Sequence, residues 1–237
     1  MSAPSRSESS PHAGLPLPAS FFARPAPEVA RDLLGKYVVS TAGGVRTGGW
    51  ILETEAYLGP DDPGSHAATR AVTARNAVMY AAPGTVYVYF AYGQHHMLNL
   101  VVEPQGLASA VLIRAIAPAE GLETIRARRH GVPDRSLADG PGKVAEALGL
   151  TLEDNGLRLG EGSLAVLDGP APAEPVVVSG RIGLTEGHEL PLRFYLGGHP
   201  GVSRGRTGPR KGDVWPATSR QRVRGRSTKD PDARRTT

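Results

Sequence analysis

Apolar and polar positions alternate twice between Lys36 and Gly59, in KYVVSTAGGVRTGGWILETEAYLG, and a Gly-rich turn separates the two runs. Alternation with period two is what a half-buried strand needs, so the stretch predicts a β-hairpin. Runs rich in β-branched and aromatic residues follow: TVYVYFAYG from Thr85, HMLNLVVEP from His96 and ASAVLIRAI from Ala108, together predicting a meander of strands. EPVVVSGRIGL from Glu174 and LPLRFYLGG from Leu190 return to strand. Helical signals are fewer. Pro27 to Leu34 reads as a helix, with proline at its start and Gly35 just past its end. PAEGLETIRARRHG and GPGKVAEALGL also read as helices. No repeat is visible and no linker divides the body. The expected fold class is α+β: a single domain over residues 16–203 with an antiparallel β-sheet core and peripheral helices, flanked by disordered segments at 1–15 and 204–237.

Composition changes this picture in one respect. At 237 residues and 40% hydrophobic, the chain can bury a real core, and no run approaches 18 apolar residues, so no membrane span is expected. The first residues, MSAPSRSESSPHAG, lack the apolar centre of a signal peptide, and the absence of cysteine excludes disulfides and thiolate metal sites. A cytoplasmic location is the default expectation. The pI of about 9.6 is misleading. From Val202 onward there are 11 Lys and Arg against 3 Asp, a net of +8, which leaves 16 basic and 20 acidic residues, a net of −4, in the body. The basic character thus belongs to the C-terminal segment, as a weak nucleic-acid tether or as an inert solvated tail.

The candidate chemistry begins with LETEAY. Residues two apart on a strand share a face, so Glu53, Glu55 and Tyr57 point the same way. Like charges repel, and some other demand must hold them there. His66 follows after a turn, Tyr87 and Tyr89 share a face of the next strand, Tyr92 stands just before Gly93, and Asn99 and Arg114 lie on the strands beyond. Tyrosines beside a carboxylate suit an enzyme that holds a flat ring and attacks the bond beside it. Stacking on an aromatic side chain contributes about 1–3 kcal/mol per base, and a carboxylate next to a sugar can take a proton from attacking water. A projecting tyrosine can wedge into a base stack, so the set points to base flipping. Blander readings stay open at this level: alternate aromatics often pack a core, and paired acids often line a solvated face. A carbohydrate hydrolase using Glu53 and Glu55 as an acid/base pair, at a spacing of roughly 6.5–7 Å, is a second alternative. A non-catalytic nucleic-acid binder is a third. His95 and His96 are adjacent on a strand and so are poorly placed to chelate a metal, and Gly140–Lys143 reads mainly as a helix start.

ETEAYLGPDDPGSH, RNAVMYAAPGTVYVYFAYGQHHMLN, AVLIRAIAPAEGLETIRARR, DGPGKVAEALGL and RIGLTEGHELPLRFYLGGHPGVS closely resemble the alkyladenine (3-methyladenine) DNA glycosylase family, over about residues 16–203. The resemblance implies a single mixed domain with an antiparallel core, acting as a monomer on double-stranded DNA that contains damaged purines, with no cofactor and no metal. It implies that Glu55 is the general base that activates water against the sugar C1′, and that Tyr57, His66 and Tyr89 sandwich the flipped base. Tyr92 becomes the intercalating residue, Asn99 the pocket floor that clashes with the 2-amino group of guanine, and Arg114 a phosphate contact. Val202 and Ser203 match a pocket wall less closely. Glu53 receives no role from the family, and we expect it to pair with an arginine. The only lysines of the body, Lys36 and Lys143, adjoin neither the tyrosines nor the acids in sequence, so hydrolysis by water without a Schiff base is expected. Gln94, His95 and His96 depart from the bulkier or apolar residues that relatives often carry.

Overall fold

The computed structural model describes residues 14–91 and 93–203. The two terminal segments and Tyr92 lie outside that range. Eight strands form one antiparallel sheet: β1 (Tyr37–Ser40), β2 (Thr47–Tyr57), β3 (Val86–Ala91), β4 (His95–Val102), β5 (Ser109–Glu120), β6 (Leu164–Leu167), β7 (Val176–Ser179) and β8 (Arg193–Leu196). The order is β3-β4-β5-β2-β1-β6, with β8 joining β2 and β7 joining β8. The hairpin and the meander stand as the alternation predicts. β2 is long enough to serve two partners along one edge: β1 pairs with its first half, Tyr37 opposite Trp50, and β8 with its second, Phe194 opposite Thr54.

Helices α1 (Ala19–Phe22), α2 (Ala26–Asp32), α3 (Leu122–Arg128) and α4 (Pro141–Leu148) complete the domain. The period of two sorts the sheet into two faces. Val86, Val88, Leu98, Leu100, Val111 and Ile113 share one core with α2 and α4. Thr54 turns to that side, and its hydroxyl donates to the Ala30 carbonyl of α2 at 2.7 Å. Tyr87, Val101 and Ala110 face the other way, against the loop that carries Ala67 and Met79, and Met97 and Leu112 form a small cluster with Tyr57 and Tyr89. Helices therefore cover one side, and loops cover the side that holds Glu53, Glu55 and Tyr57.

Three local readings change. The segment from Pro118 to Glu120 extends β5 rather than opening a helix, because Gly121 at φ +66° breaks the strand and α3 starts only after it. The strand expected across 174–184 stops at Ser179, where the chain turns to pack Arg181 inward. LAVL, with only four residues to show alternation, forms the edge strand β6 that the pattern does not reveal.

The loops on the open side are stapled by charge. Asp62 takes a bidentate pair from Arg181, both contacts at 2.6 Å, and also accepts from the Leu58 and Gly64 main-chain N–H groups. Arg181 in turn donates to the Ala56 and Gly187 carbonyls. Both side chains are fully buried, so removing one charge strands the other. Asp62→Asn is therefore expected to lower stability by about 3–5 kcal/mol, the usual cost of breaking a buried pair; a urea midpoint equal to that of the unaltered protein would refute this.

Candidate active site

Two β-bulges make room for the acids. Along β2 and β5 the register slips between Ile51 and Glu53, which leaves Leu52 as an extra residue, and slips back between Glu53 and Thr54, which leaves Arg114 as the extra residue on β5. Bulges re-aim side chains near functional sites. Here the second one drives the Arg114 guanidinium between the two carboxylates: its Nε donates to Glu53 at 3.0 Å and its Nη1 to Glu55 at 3.2 Å. This is the demand that holds two acids on one face.

The acids differ in what surrounds them. Glu53 accepts from Arg114, from Arg193 Nε at 2.6 Å, and from both the main-chain N–H and the hydroxyl of Ser203, at 2.7 and 2.8 Å. Three of those donors converge on Oε1, and the Ser203 N–H alone reaches Oε2. Glu55 accepts from the Tyr57 hydroxyl at 2.9 Å, from Arg114 and from the Ile182 N–H at 2.8 Å. One acceptor position, on Oε1, stays open among the described residues. Both acids are fully buried. Burial pulls the Arg114 guanidinium down, but the charges of Glu55 and Glu53 outweigh it and hold the group above its ordinary value. Burial, and then the charge of Glu55, push the Tyr57 phenol well up, so it stays a donor.

Tyr57, His66, Tyr87, Tyr89 and Asn99 wall a pocket, together with Gly64, Met79, Ala110 and Leu184. The cavity measures about 40 Å³, far below the roughly 300–1,000 Å³ of a preformed ligand site. Gly64 is glycine because an added Cβ would stand 2.6 Å from Arg181 Nη2 and 2.7 Å from Leu184 Cδ1. Arg181 lies 4.7 Å from the Tyr57 ring and so braces that wall. Asn99 donates through Nδ2 to the Tyr87 and Met97 carbonyls, at 3.2 and 3.3 Å, which locks the amide in one orientation. His66 meets Tyr89 edge-on at 4.5 Å, its Nδ1 lies 2.8 Å from the Tyr87 hydroxyl, and its carbonyl is held by Asn76. Burial, and next to it the positive charge of Arg75, lower the His66 pKa from 6.5 to about 4.

A second, wider groove adjoins the first. Arg114, Ile182 and Ser203 line it with Ser136, Asp139, Gly140, Pro141 and Lys143 at the start of α4. Glu55 thus lies between two cavities, bonded to Tyr57 of the pocket and to Arg114 and Ile182 of the groove.

Of the residues singled out in the sequence, Glu55, Tyr57, His66, Tyr89, Asn99 and Arg114 come together at this place, and Tyr92 lies outside the described residues. Glu53 pairs with two arginines. Ser203 belongs to the Glu53 cluster and the groove; neither it nor Val202 lines the pocket. Lys36 is engaged by Asp168, but Lys143 lines the groove, closer to the acids than its position in the chain suggests, with Asp139 at 2.6 Å. His95 packs against Gly142, and the His96 ring meets Phe90 at a tilt, 5.2 Å between centroids. Sequence reasoning missed Met79, Ile182 and Leu184, along with the bracing Asp62, Arg75 and Arg181. They sit in loops where no period marks them, and a buried arginine or aspartate looks like any surface charge in a sequence.

An aromatic pocket with a buried carboxylate bonded to its Tyr57 wall, beside a groove that carries an arginine and a lysine, suits an enzyme that takes a flat ring from a charged polymer. Comparison with known proteins makes the class specific. Residues 20–200 match the model of the methylpurine-DNA glycosylase family. Similar proteins bearing the name "Putative 3-methyladenine DNA glycosylase" include one from Chlorobium luteolum, 45% identical over 78% of this chain and 95% of its own length. Others come from Salinibacter ruber, 47% identical over 79% and 96%, and Prosthecochloris aestuarii, 40% identical over 86% and 95%. The chain belongs to the methylpurine-DNA glycosylase family: it is a DNA glycosylase, an enzyme of base excision repair whose substrate is DNA.

The site carries a pH signature. In the unfolded chain His66 takes up a proton near 6.5, whereas in the folded protein it does so only near 4. Between those values the unfolded state binds more protons, so acidification through that window costs stability. His66→Gln removes this component. Thermal melts from pH 7.5 to 4 should show the variant losing less stability than the unaltered protein; parallel curves would refute the assignment.

Proposed function

We propose that the chain is a monofunctional DNA glycosylase that, as a monomer on duplex DNA, excises alkylated or deaminated purines by base flipping and water attack at C1′. The observation that carries this reading is the different company of the two acids. Glu55 is bonded to Tyr57 of the pocket and to Arg114 and Ile182 of the groove, whereas none of the partners of Glu53 lines the pocket.

In this reading the flipped base stacks between Tyr57, His66 and Tyr89, Tyr92 fills the gap in the duplex, and the locked Asn99 bars the 2-amino group of an undamaged guanine. Arg114 supports the phosphodiester from the groove floor. A water on Glu55 Oε1 gives its proton to the carboxylate as its oxygen bonds to C1′; the C1′–N bond breaks and the base departs with the electron pair. A purine alkylated at N3 or N7 is already cationic and leaves neutral. Hypoxanthine or ethenoadenine must gain a proton as it leaves. The carbohydrate-hydrolase alternative needs Glu53 as a second acid, and that group is engaged by two arginines and Ser203 away from the pocket.

The test is base release from duplex oligonucleotides carrying 3-methyladenine, 7-methylguanine, hypoxanthine or ethenoadenine. Glu55→Gln is expected to lose on the order of 10²–10⁴-fold in rate, the range of a general base, with DNA binding kept. Glu53→Gln, in protein that remains folded, is expected to slow release far less. Equal losses would overturn the assignment of roles, and a borohydride-trapped enzyme–DNA adduct would overturn the water mechanism.

A further inference from the structure

A cavity of about 410 Å³ lies between the end of the β3–β4 hairpin and α4. Gly142 of α4 lines it, whereas Lys143, the next residue, lines the groove of Arg114. The two hollows therefore flank the first turn of one helix. His95 and His96, at the start of β4, and Arg128 and His130, at the end of α3, bring charged or protonatable groups to the cavity. The two adjacent histidines stand opposite Ala91 and Phe90, on the two faces of the hairpin, and both reach the cavity because it lies at the hairpin's end. Gly142 admits the first of them: a Cβ there would stand 2.8 Å from His95 Cγ and 2.9 Å from His95 Cβ.

Positive charge is left over in this cavity. Arg128 donates to the Ala42 and Ala147 carbonyls, at 2.8 and 2.9 Å, and to the Thr47 hydroxyl at 3.3 Å. These bonds fix the guanidinium without neutralising it, and no carboxylate pairs with it among the described residues. Glu146, the one acid in the lining, is claimed by Arg129. What remains is one uncompensated guanidinium and three imidazoles, with no Tyr, Phe or Trp on which a base could stack. Arginine and protonated histidine have only donors to offer, so the lining suits the oxygens of an anion. A duplex supplies one phosphate per about 3.4 Å along each strand, and a helix such as α4 is only about 10–12 Å across. A duplex with one phosphate in the Lys143 groove thus has others within reach of the cavity.

We propose that this cavity is a second DNA contact, in which Arg128, His95, His96 and His130 hold a backbone phosphate of the same duplex, and the histidines tighten that hold as they gain protons. This rests on the reading of the Arg114–Lys143 groove as the path of the phosphodiester. Phosphate contacts fix register and carry no sequence information, so the contact anchors the duplex beside the hairpin turn that bears Tyr92 without choosing the base. The charged groups that face the three histidines are Arg128 from α3 and Glu146 from α4, with Arg129 on Glu146. A free imidazole titrates near 6.5; it is mostly neutral at pH 7.5 and mostly charged at pH 5.5, and a bound phosphate favours the charged form. Binding therefore takes up protons and strengthens on acidification. His66, whose pKa lies at about 4, stays neutral through that window.

The experiment titrates the full chain into a labelled, undamaged duplex at pH 7.5 and 5.5 over a series of salt concentrations. The triple variant His95→Gln, His96→Gln, His130→Asn is compared with the unaltered chain, and the exposed His188, as His188→Gln, serves as control. His130 has φ +49°, which asparagine and aspartate accept. Between pH 7.5 and 5.5, at 0.1 M salt, the unaltered chain is expected to gain about three- to tenfold more affinity than the triple variant, and its salt slope at pH 5.5 to be steeper by about 0.9, the value for one phosphate. His130→Asp, a single change at an exposed position, sets a carboxylate against the phosphate and is expected to weaken binding severalfold already at pH 7.5. Single-turnover base release at saturating enzyme is expected to stay within about twofold in these variants, because the contact positions the duplex and does not touch the reacting base. A triple variant with the same pH dependence as the unaltered chain, or a His130→Asp variant with unchanged affinity, would overturn the proposal. In a second arm, NMR follows the ring signals of His95, His96 and His130 at pH 5.5 with the duplex or with inorganic phosphate alone. Signals that move with inorganic phosphate but not with the duplex would assign the cavity to a free anion and overturn the DNA contact. Lys143→Gln reads the neighbouring groove separately: unchanged binding in that variant strikes the assumed path of the phosphodiester, while the histidine variants still decide what the cavity holds.

Discussion

A fully buried carboxylate is tolerated only where other groups replace the water it has lost, and β2 carries two of them on one face. Everything around the site answers that constraint. Glu53 and Glu55 bring two negative charges, and Arg114 and Arg193 bring two positive ones, so the cluster is formally neutral and nearly dry. Arg114 comes from β5, on the far side of the acids from β8, which supplies Arg193. Ser203, 150 positions beyond Glu53, closes the cluster through its main-chain N–H and its hydroxyl. Strand β2 is thereby tied to elements drawn from most of the chain. A loss of any one charge leaves the buried cluster unbalanced by one, and that penalty is what binds the geometry of the site to the stability of the fold.

The same division of labour runs through the pocket. Aromatic rings supply the surface, and charges behind them supply the position. Arg181 braces Tyr57 from one loop and Arg75 stands at Tyr89 from another, while Asp62 locks Arg181 to the loop that leads to His66. None of these three charged groups lines the cavity. Such an arrangement lets the walls stay uncharged while they are held by strong, directional bonds, as a site for stacking requires.

How much of this the sequence discloses depends on whether a period marks it. Glu53, Glu55 and Tyr57, like Tyr87 and Tyr89, are legible because alternation on a strand puts them on a common face, and the structure keeps them there. Asn99 and Arg114 fall on strands too, although nothing in the alternation announces the bulge that turns Arg114 between the acids. The loop residues have no such mark. Arg75, Asp62, Arg181, Ile182 and Leu184 reach the site through turns, and their positions follow from hydrogen bonds that form only once the sheet exists. Lys143 shows the converse: remote from the acids in sequence, it is carried to the groove by the packing of α4 on β4 and β5. The over-extended helix before Gly121 and the unseen β6 have a simpler cause, since short or polar-rich strands carry too few positions for a period to emerge.

Glu53 and Glu55 are the same residue type, on the same strand, equally buried and bound to the same arginine, so neither burial nor charge distinguishes them. What separates them is their company. Glu53 meets two guanidinium groups and both donors of Ser203, none of which lines the pocket. Glu55 receives the phenol of Tyr57, which does line it, a single guanidinium contact and the Ile182 N–H of the groove. In the proposed mechanism the carboxylate that deprotonates water must stand at the base pocket, and the one that fixes an arginine for its neighbour need not. The two acids that look redundant in LETEAY are thus made unlike by the elements on either side: β8 and the segment after it hold Glu53 in the interior, while Tyr57 and the turn at Ile182 set Glu55 between pocket and groove.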